Sequence, residues 1–431
     1  MTAATWIPAI RYVDPTTGVD QVAAIGLREG RIGAIAPAHS PIPADWPPDT
    51  EVVDGSDGVL LPGLVDLYSH SGDPGHEQRE TLDTLMAAAI AGGITRVGIL
   101  PDTVPPLDHA GALRSLLDRA DESPQSPQPQ LLPWAALTQA SAGQQMTELR
   151  ELATSRSLGL AGFADGAALG TGVLLQRLLE YLRPLGMPVA LWPWQRDLAG
   201  NGVARAGALA LAAGLTPQPA LAETAPLAAL LEMVAEVGTP IHLMRLSTAR
   251  SVALVAEAKA RGVPVTASVS WLHLLFSTQD VLSYDPHLRL EPPLGNPSDQ
   301  AALIAGVAAG IIDAIAVDHT PHTYEDKTVA FDQAPPGAIG LELALPMLWQ
   351  RFVASGTWSA LTLVQALSTR PAQCLGLAPP RIAVDAPTEA VWFQPEVAWT
   401  VTPETLRSRS HNTPFLHQTV QGQVKRVWTP D

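Results

Sequence analysis

The hydrophobic positions of this chain fall into three successive patterns. Near the amino terminus, the apolar runs Ala23–Leu27 and Arg31–Ile35 flank a glycine-containing turn, which predicts a β-hairpin. From about residue 63 to residue 375, short apolar runs alternate with Ala- and Leu-rich segments of helical spacing. The carboxyl-terminal segment returns to β-like runs, Ala390–Phe393 and Val420–Trp428. A β-rich flank therefore lies on each side of a long alternating region.

The alternating region predicts parallel βα units, and its length of roughly 300 residues suits a closed (β/α)8 TIM-like barrel of the α/β class. We expect residues 63–378 to form this barrel, and residues 1–62 and 379–431 to meet in a small β-sandwich domain built from both termini. The proline-rich stretch Ser123–Pro133 is expected to be an extended, exposed loop. The clearest predicted strands are Arg96–Leu100, Pro188–Trp192, Pro240–Met244, Val263–Val269 and Ile312–Val317, and the clearest predicted helices are Thr81–Ala91, Leu174–Leu182, Ala225–Val237 and Ala249–Ala260.

Charge and composition narrow the class of protein. The chain has 26 Lys and Arg against 42 Asp and Glu, a net charge of −16, which argues against nucleic acid or an anionic membrane as a partner. Cys374 is the single cysteine, so no internal disulfide framework can form. The start of the chain has no basic segment followed by an apolar run, and the apolar stretches are too short to span a bilayer. We therefore expect a cytoplasmic protein.

Two apolar strands of the predicted barrel end in polar side chains. Pro62–His70 runs from an apolar segment into Ser-His, and Ile311–His322 ends in Asp-His-Thr-Pro-His. Barrel enzymes carry their active sites at the carboxyl ends of the strands. One Asp-His pair alone fits loop capping or hydrogen bonding as well as catalysis, whereas two such ends in one barrel favour an active site.

The chain resembles dihydroorotases of the amidohydrolase superfamily, of the type found with aspartate transcarbamoylase. The resemblance covers nearly the whole chain and implies a metal-bearing barrel with a small β domain made from both termini. It also implies the reversible cyclisation of carbamoyl aspartate to dihydroorotate, in which a hydroxide bridging divalent metals, usually zinc, attacks the ring amide. The motifs that carry the resemblance, in order, are Pro62–His70, Ala91–Thr95, Asp318–His322, Ala334–Glu342 and Asn412–Phe415.

Three of the family's metal-binding histidines are replaced at the matching positions. The first histidine of the early His-x-His pair falls on Tyr68, the next metal histidine falls on Trp192, and the histidine before a Ser-Thr pair falls on Arg245. Indole offers no lone pair to a metal. A guanidinium stays protonated and would lie where the cation belongs, paired with Asp165 or Asp318.

Three other positions of the implied metal centre are retained. His70 matches the second histidine of the early pair, Asp165 the bridging aspartate, and Asp318 the aspartate that shuttles the proton. Zinc takes at least three protein ligands even in open catalytic sites, so this set could hold one weakly bound ion but not a pair. A purely structural role is the alternative: Asp318 and His322 would cap and hydrogen-bond the loop after a barrel strand, and His70 would be a buried hydrogen-bonding residue.

The implied substrate site is changed independently of the metal site. The family's carboxylate-binding arginine falls on Gly72, and its two asparagines fall on Asp102 and Glu291, whereas the histidine four residues beyond Asp318 is retained as His322. The pocket thus loses a cation and gains two carboxylates, which would repel the anionic substrates of the family.

The sequence therefore predicts a dihydroorotase-like protein of pyrimidine biosynthesis that has lost its activity and needs no cofactor. The resemblance implies a structural role beside aspartate transcarbamoylase, as a homo- or hetero-oligomer. One alternative is an active cyclic amidohydrolase with a single zinc ion on His70, Asp165 and Asp318. Another is a sensor that binds a cationic ligand through Asp102 and Glu291.

Overall fold

The fold is described from a computed structural model over residues 4–124, 126–170 and 172–430. Short 3-10 turns lie at Gln139–Ser141, Ser155–Leu158, Arg183–Leu185, Asp280–Ser283 and Pro286–Leu288, and π-helical turns at Trp349–Ala354 and Gln365–Thr369. The strands are β1 (Thr5–Asp14), β2 (Val19–Arg28), β3 (Arg31–Pro37), β4 (Glu51–Val52), β5 (Val59–Pro62), β6 (Leu64–Ser69), β7 (Ile94–Ile99), β8 (Gln130–Ala135), β9 (Gly162–Phe163), β10 (Ala190–Leu191), β11 (Ala204–Arg205), β12 (Pro217–Gln218), β13 (Ile241–Leu243), β14 (Val265–Ser270), β15 (Ala314–Ala316), β16 (Ala390–Thr400) and β17 (Thr419–Trp428). The α-helices are α1 (Leu82–Ala91), α2 (Ala110–Asp121), α3 (Leu149–Thr154), α4 (Val173–Leu182), α5 (Arg196–Ala199), α6 (Ala208–Ala212), α7 (Leu221–Val237), α8 (Ala249–Ala260), α9 (Leu272–Leu275), α10 (Pro297–Ala308), α11 (Tyr324–Lys327), α12 (Ala344–Leu348), α13 (Ala360–Val364) and α14 (Arg370–Cys374). Within the described ranges, no helix combines the length and the apolar character needed to cross a lipid bilayer.

Eight parallel strands close into the expected barrel. Strands β6, β7, β8 and β9 pair in that order, and β10, β13, β14 and β15 form a second parallel row. A parallel bridge between Phe163 and Val189 joins the two rows. At the other junction, the backbone N–H of His70 donates to the carbonyl oxygen of His319 at 2.8 Å, just beyond the ends of β6 and β15. The predicted (β/α)8 architecture is thereby confirmed.

The terminal segments join in one sheet of seven strands. Its order is β17-β16-β5-β1-β2-β3, and β4 pairs with β1. Strand β16 runs antiparallel to β5, so the two ends of the chain lie side by side. The predicted hairpin is confirmed as the antiparallel pair β2–β3, with longer strands than the sequence indicated. This sheet leads into the barrel through β5, which ends directly before β6.

Buried apolar side chains on both faces of the barrel strands form two clusters that hold the barrel together. Strand β6 is buried at every position, as expected for parallel strands covered on both faces. Helix α1 shows how a covering helix is positioned: Thr81 and Thr84 form a capping box at its start, and Gly92 follows its end. A Cβ at Gly92 would lie 1.8 Å from the carbonyl oxygen of Leu341, so only glycine allows this close packing of the helix end.

The predicted loop Ser123–Pro133 is wrong in its second half. Strand β8 begins at Gln130 and includes Pro133, the last residue of the predicted loop. Leu131 and Leu132 are buried, and Trp134 donates its Nε1–H to the carbonyl oxygen of Leu67 at 2.8 Å inside the barrel. Burial of this continuous apolar run therefore outweighs the turn signal of the preceding prolines.

Candidate active site

The candidate site lies where the carboxyl ends of the barrel strands meet. A cavity of about 230 Å³ opens there, and its lining includes His70, Trp192, Arg245, Glu291 and Asp318. The topology thus brings together residues that are far apart in the chain. This is the end of the barrel at which ligands bind in this architecture.

Arg245 occupies the centre of the cavity floor, two residues beyond strand β13. Its side chain is only 5% exposed and makes two parallel hydrogen bonds to Asp318, Nε to Oδ2 at 2.8 Å and Nη2 to Oδ1 at 2.7 Å. Nη1 donates to the carbonyl oxygen of Gly166 at 2.9 Å. Burial lowers the pKa of Arg245, but the charge and hydrogen bonds of Asp318 raise it more, so the net pKa lies above its ordinary value. The guanidinium is therefore a fixed internal cation.

His70 connects this cation to a second carboxylate. Its Nε2 lies 2.9 Å from Nη2 of Arg245, and its Nδ1 lies 2.6 Å from Oδ2 of Asp102. Because a guanidinium can only donate, Nε2 is the acceptor, and Nδ1–H donates to Asp102. Burial raises the pKa of Asp102, but His70 lowers it more, so its pKa lies below the ordinary value. A carboxylate–histidine–cation chain is the arrangement that orients metal-bound histidines, and here a guanidinium takes the place of the metal.

Two aromatic side chains enclose the Arg245 guanidinium. Its Cζ atom lies 5.0 Å from the ring centroid of Trp192 and 5.6 Å from that of Tyr68. Trp192 stacks on Trp194 with a centroid distance of 5.0 Å. The Tyr68 hydroxyl accepts a hydrogen bond from the backbone N–H of Arg245 at 3.1 Å, and burial raises the pKa of Tyr68 above its usual range. The three side chains predicted to replace metal-binding histidines therefore form one packed unit.

Asp165 does not join the other retained residues. Its Oδ1 accepts hydrogen bonds from the backbone N–H groups of Leu137 and Thr138 at 2.7 and 2.9 Å, and its Oδ2 accepts from the Thr138 hydroxyl at 2.6 Å. Burial raises the pKa of this carboxyl group. Asp165 thus fixes the loop after β8. Arg245 pairs with Asp318 rather than with Asp165, which resolves the alternative left open by the sequence.

The residues at the implied metal centre do not fit a metal pair. Among the described residues, no three His, Cys, Asp or Glu side chains group in a way that could hold an ion. His70 and Asp318 already bind the same guanidinium, and the indole of Trp192 has no lone pair to offer. The hypothesis of one ion shared by His70, Asp165 and Asp318 finds no support in this geometry.

The implied substrate residues are dispersed. His322 donates its Nε2–H to the carbonyl oxygen of Pro336 at 2.9 Å, and burial lowers its pKa to about 4, so the ring is neutral and holds a loop. A Cβ at Gly72 would lie 2.5 Å from the carbonyl oxygen of Glu80, so the backbone leaves no space for the arginine that the resemblance implies there. Glu291 lines the cavity, whereas Asp102 faces His70 with 41% of its side chain exposed.

Several residues at this end of the barrel have no role predicted from the sequence. Arg196 and His273 both line the cavity. Beneath the floor, His242 contacts the hydroxyls of Ser268 and Thr266 at 2.8 and 2.9 Å, and burial lowers its pKa to about 3. The only feature of the sequence that could have identified them is their position, since Arg196, His242 and His273 lie on or shortly after barrel strands.

Comparisons with known proteins agree with this architecture. The chain is 43% identical over 443 residues to a probable dihydroorotase-like protein of Synechocystis sp., covering 97% of this chain and 98% of the relative. It is 34% identical over 415 residues to a dihydroorotase of Anaeromyxobacter sp., covering 96% and 93% of the two chains. Among solved structures, the L-hydantoinase (dihydropyrimidinase) of Arthrobacter aurescens superimposes with a TM-score of 0.84 at 21% identity, covering 100% of this chain and 96% of that one.

The fold and the site thus define an amidohydrolase-type barrel with an associated β domain. The sequence model of the dihydro-orotase-like family matches residues 57–169, which include β6 and the first half of the barrel. The chain belongs to the dihydroorotase-like family of the amidohydrolase superfamily.

Proposed function

We propose that this protein is a catalytically inactive dihydroorotase-like protein of pyrimidine biosynthesis that acts as a structural partner of aspartate transcarbamoylase. One observation carries the proposed loss of activity. The Arg245 guanidinium is paired with Asp318 and His70 at the positions where the family would bind its cations. A permanently protonated side chain cannot present a bound hydroxide to a substrate.

The proton-transfer residue is also engaged. Both carboxylate oxygens of Asp318 accept hydrogen bonds from Arg245 at 2.7 and 2.8 Å. A general base must be able to reach the proton that it abstracts, and here both carboxylate oxygens are already bound to one guanidinium. The matching position is therefore retained without the freedom that proton transfer requires.

The altered substrate positions support the same proposal. Glu291 brings a carboxylate to the cavity wall, and Asp102 lies behind His70. Carbamoyl aspartate and dihydroorotate are anions, so a carboxylate at the mouth weakens their binding by like-charge repulsion. Gly72 cannot be replaced by the missing arginine without moving the Glu80 backbone.

The proposed partnership follows from membership in the family and from the resemblance to the type found with aspartate transcarbamoylase. Its test is coexpression with the aspartate transcarbamoylase catalytic chain of the same organism, followed by size-exclusion chromatography with light scattering. We expect a stable complex with a defined ratio of the two chains. Separate elution of the two proteins at micromolar concentration would contradict the partnership without affecting the proposed inactivity.

The loss of activity is tested on protein purified without chelator. Zinc per chain is measured by atomic spectroscopy, and dihydroorotate hydrolysis and carbamoyl aspartate cyclisation are followed on the same sample. We expect less than stoichiometric zinc and no turnover above background. An active dihydroorotase of the family, prepared in parallel, is the control for the assay.

The competing function is an active cyclic amidohydrolase with a single metal ion. It requires Arg245 to leave Asp318 and His70 and requires Asp165 to release the Thr138 loop. Stoichiometric zinc together with turnover of dihydroorotate or of a neutral cyclic amide would establish this alternative and overturn the proposed inactivity.

A further inference from the structure

The cavity above the Arg245–Asp318 pair retains polar groups that no internal partner satisfies. His273 is 3% exposed and donates its Nε2–H to the carbonyl oxygen of Pro292 at 3.1 Å, so its Nδ1 carries a lone pair, and that atom has no partner. Trp192 is 7% exposed, and its Nε1–H is also unpartnered. Buried polar atoms without partners are uncommon in folded proteins and are an independent indication of a missing ligand or water.

The cavity also contains two opposite charges that are not paired with each other. Arg196 and Glu291 both line it, and within the described ranges neither forms an ion pair or a side-chain hydrogen bond. Glu291 interacts electrostatically with Arg289, but Arg289 directs its Nη1–H to the carbonyl oxygen of Leu290. Because Asp318 neutralises Arg245, the remaining lining is balanced between one cation and one anion.

The hydrogen-bond donors and the hydrogen-bond acceptors among these groups lie on different walls of the cavity. Trp192 and Arg196 follow β10 and can only donate hydrogen bonds. His273 follows β14, and its Nε2–H binds Pro292, the residue next to Glu291, so the groups that can accept lie together on the other wall. A ligand that carries a carboxylate at one end and an ammonium at the other would satisfy both walls at once.

We propose that this cavity binds a small zwitterion of the free α-amino acid class, with its carboxylate toward Arg196 and its ammonium toward Glu291. The volume of about 230 Å³ corresponds to roughly eight water molecules at about 30 Å³ each, which is enough for a small amino acid. A simple anion would pair with Arg196 but would be repelled by the charge of Glu291. A simple cation would pair with Glu291 but would leave Arg196 without a partner. The inference rests on the proposed function, since it requires the floor to be filled by Arg245.

The test is isothermal titration calorimetry of the full-length protein with glycine and L-alanine as probes. L-Alaninamide serves as the matched cation, and N-acetyl-L-alanine serves as the matched anion. We expect saturable binding of both zwitterions, with Kd values about tenfold or more below those of the two charged analogues, the effect of one charge-assisted hydrogen bond. Absence of saturable binding of either zwitterion, or equal binding of all probes, would overturn the proposal.

Two variants make the assignment specific. Arg196→Gln leaves a net negative lining and should shift the preference to L-alaninamide, whereas Glu291→Gln should shift it to N-acetyl-L-alanine. Each should weaken L-alanine by about tenfold. Arg381→Gln and Glu396→Gln are the controls, because both residues are exposed and lie outside the cavity lining. If L-alanine binds the cavity variants as it binds the controls, the assignment is wrong.

The same protein samples separate this inference from the proposed function. Zinc content and dihydroorotate turnover are measured before the titration. Zinc with turnover contradicts the proposed inactivity, whereas a zinc-free, inactive protein that ignores glycine and L-alanine contradicts only the ligand assignment.

Discussion

Arg245 and Asp318 pair across the barrel mouth while both backbones adopt the left-handed conformation, with φ of 56° and 53°. Residues other than glycine rarely adopt this conformation, and each instance costs about 1–3 kcal/mol. The two residues are joined by two hydrogen bonds, and the surrounding barrel must hold their backbones in this unfavourable conformation. The pair is therefore a structural element of the barrel mouth.

This pair predicts strong coupling between its two side chains. Arg245→Gln and Asp318→Asn should each destabilise the protein by about 3 kcal/mol, because each leaves a buried charge without its partner. The double variant should be more stable than the sum of the single effects predicts, by about 1 kcal/mol or more. The measurement is the free energy of unfolding in urea. The exposed pair Arg250–Glu257 is the control, where we expect less than about 1 kcal/mol per substitution. Additive effects at Arg245 and Asp318 would contradict the coupling.

A second prediction concerns restoration of the metal site. The triple variant Tyr68→His, Trp192→His and Arg245→His removes the internal cation and returns three imidazoles to the end of the barrel. We expect it to bind zinc at one ion per chain or more, measured by atomic spectroscopy after dialysis. The control is Tyr68→His with Trp192→His, which keeps Arg245 and should bind none. A folded triple variant without zinc would show that residues 68, 192 and 245 do not correspond to metal-binding positions of the family.

The sequence was sufficient for the barrel, because alternating apolar runs are local signals, whereas the replacement of family histidines at the barrel mouth stays a prediction. It did not reveal that Asp165 turns to the Thr138 loop, since the choice among several hydrogen-bond partners depends on the tertiary arrangement. It did not reveal the unpaired charge of Arg196 at the cavity for the same reason. Strand β8 was missed in part because burial on both faces outweighed the prolines before it.

The backbone at Gly72 leads to a third prediction. A Cβ there would lie 2.5 Å from the carbonyl oxygen and 2.7 Å from the nitrogen of Glu80, both of which are backbone atoms. Gly72→Ala should therefore destabilise the protein by about 1–3 kcal/mol, and Gly72→Arg by at least as much. Thermal unfolding followed by circular dichroism measures the change. Gly170→Ala is the matched control, because a Cβ at Gly170 meets no atom within 4 Å. A Gly72→Arg protein as stable as the natural one would show that the Glu80 backbone can move. An arginine at this position could then bind a carboxylate.

The buried imidazole of His242 predicts a specific pH dependence of stability. Desolvation by burial, with a smaller contribution from the charge of Lys259, lowers the pKa of His242 from 6.5 to about 3. Between these pH values the unfolded chain binds a proton that the folded protein excludes, so the contribution of His242 to stability is present above pH 6.5 and is lost as the pH falls. At pH 4 the loss is roughly 3 kcal/mol, at about 1.4 kcal/mol per pH unit.

The experiment compares the natural protein with His242→Gln in urea unfolding across this pH range. The natural protein should be the more stable one at pH 7, because glutamine cannot keep both contacts to Ser268 and Thr266. That advantage should shrink steadily as the pH falls, since His242 must then exclude a proton and glutamine need not. Other titrating groups, such as Asp66 and Glu342 with pKa values raised to about 7 by burial, act in both proteins and cancel in the difference. The exposed His39→Gln is the control, for which we expect a constant difference. A constant difference for His242→Gln as well would show that the ring takes up a proton in the folded barrel as readily as in the unfolded chain.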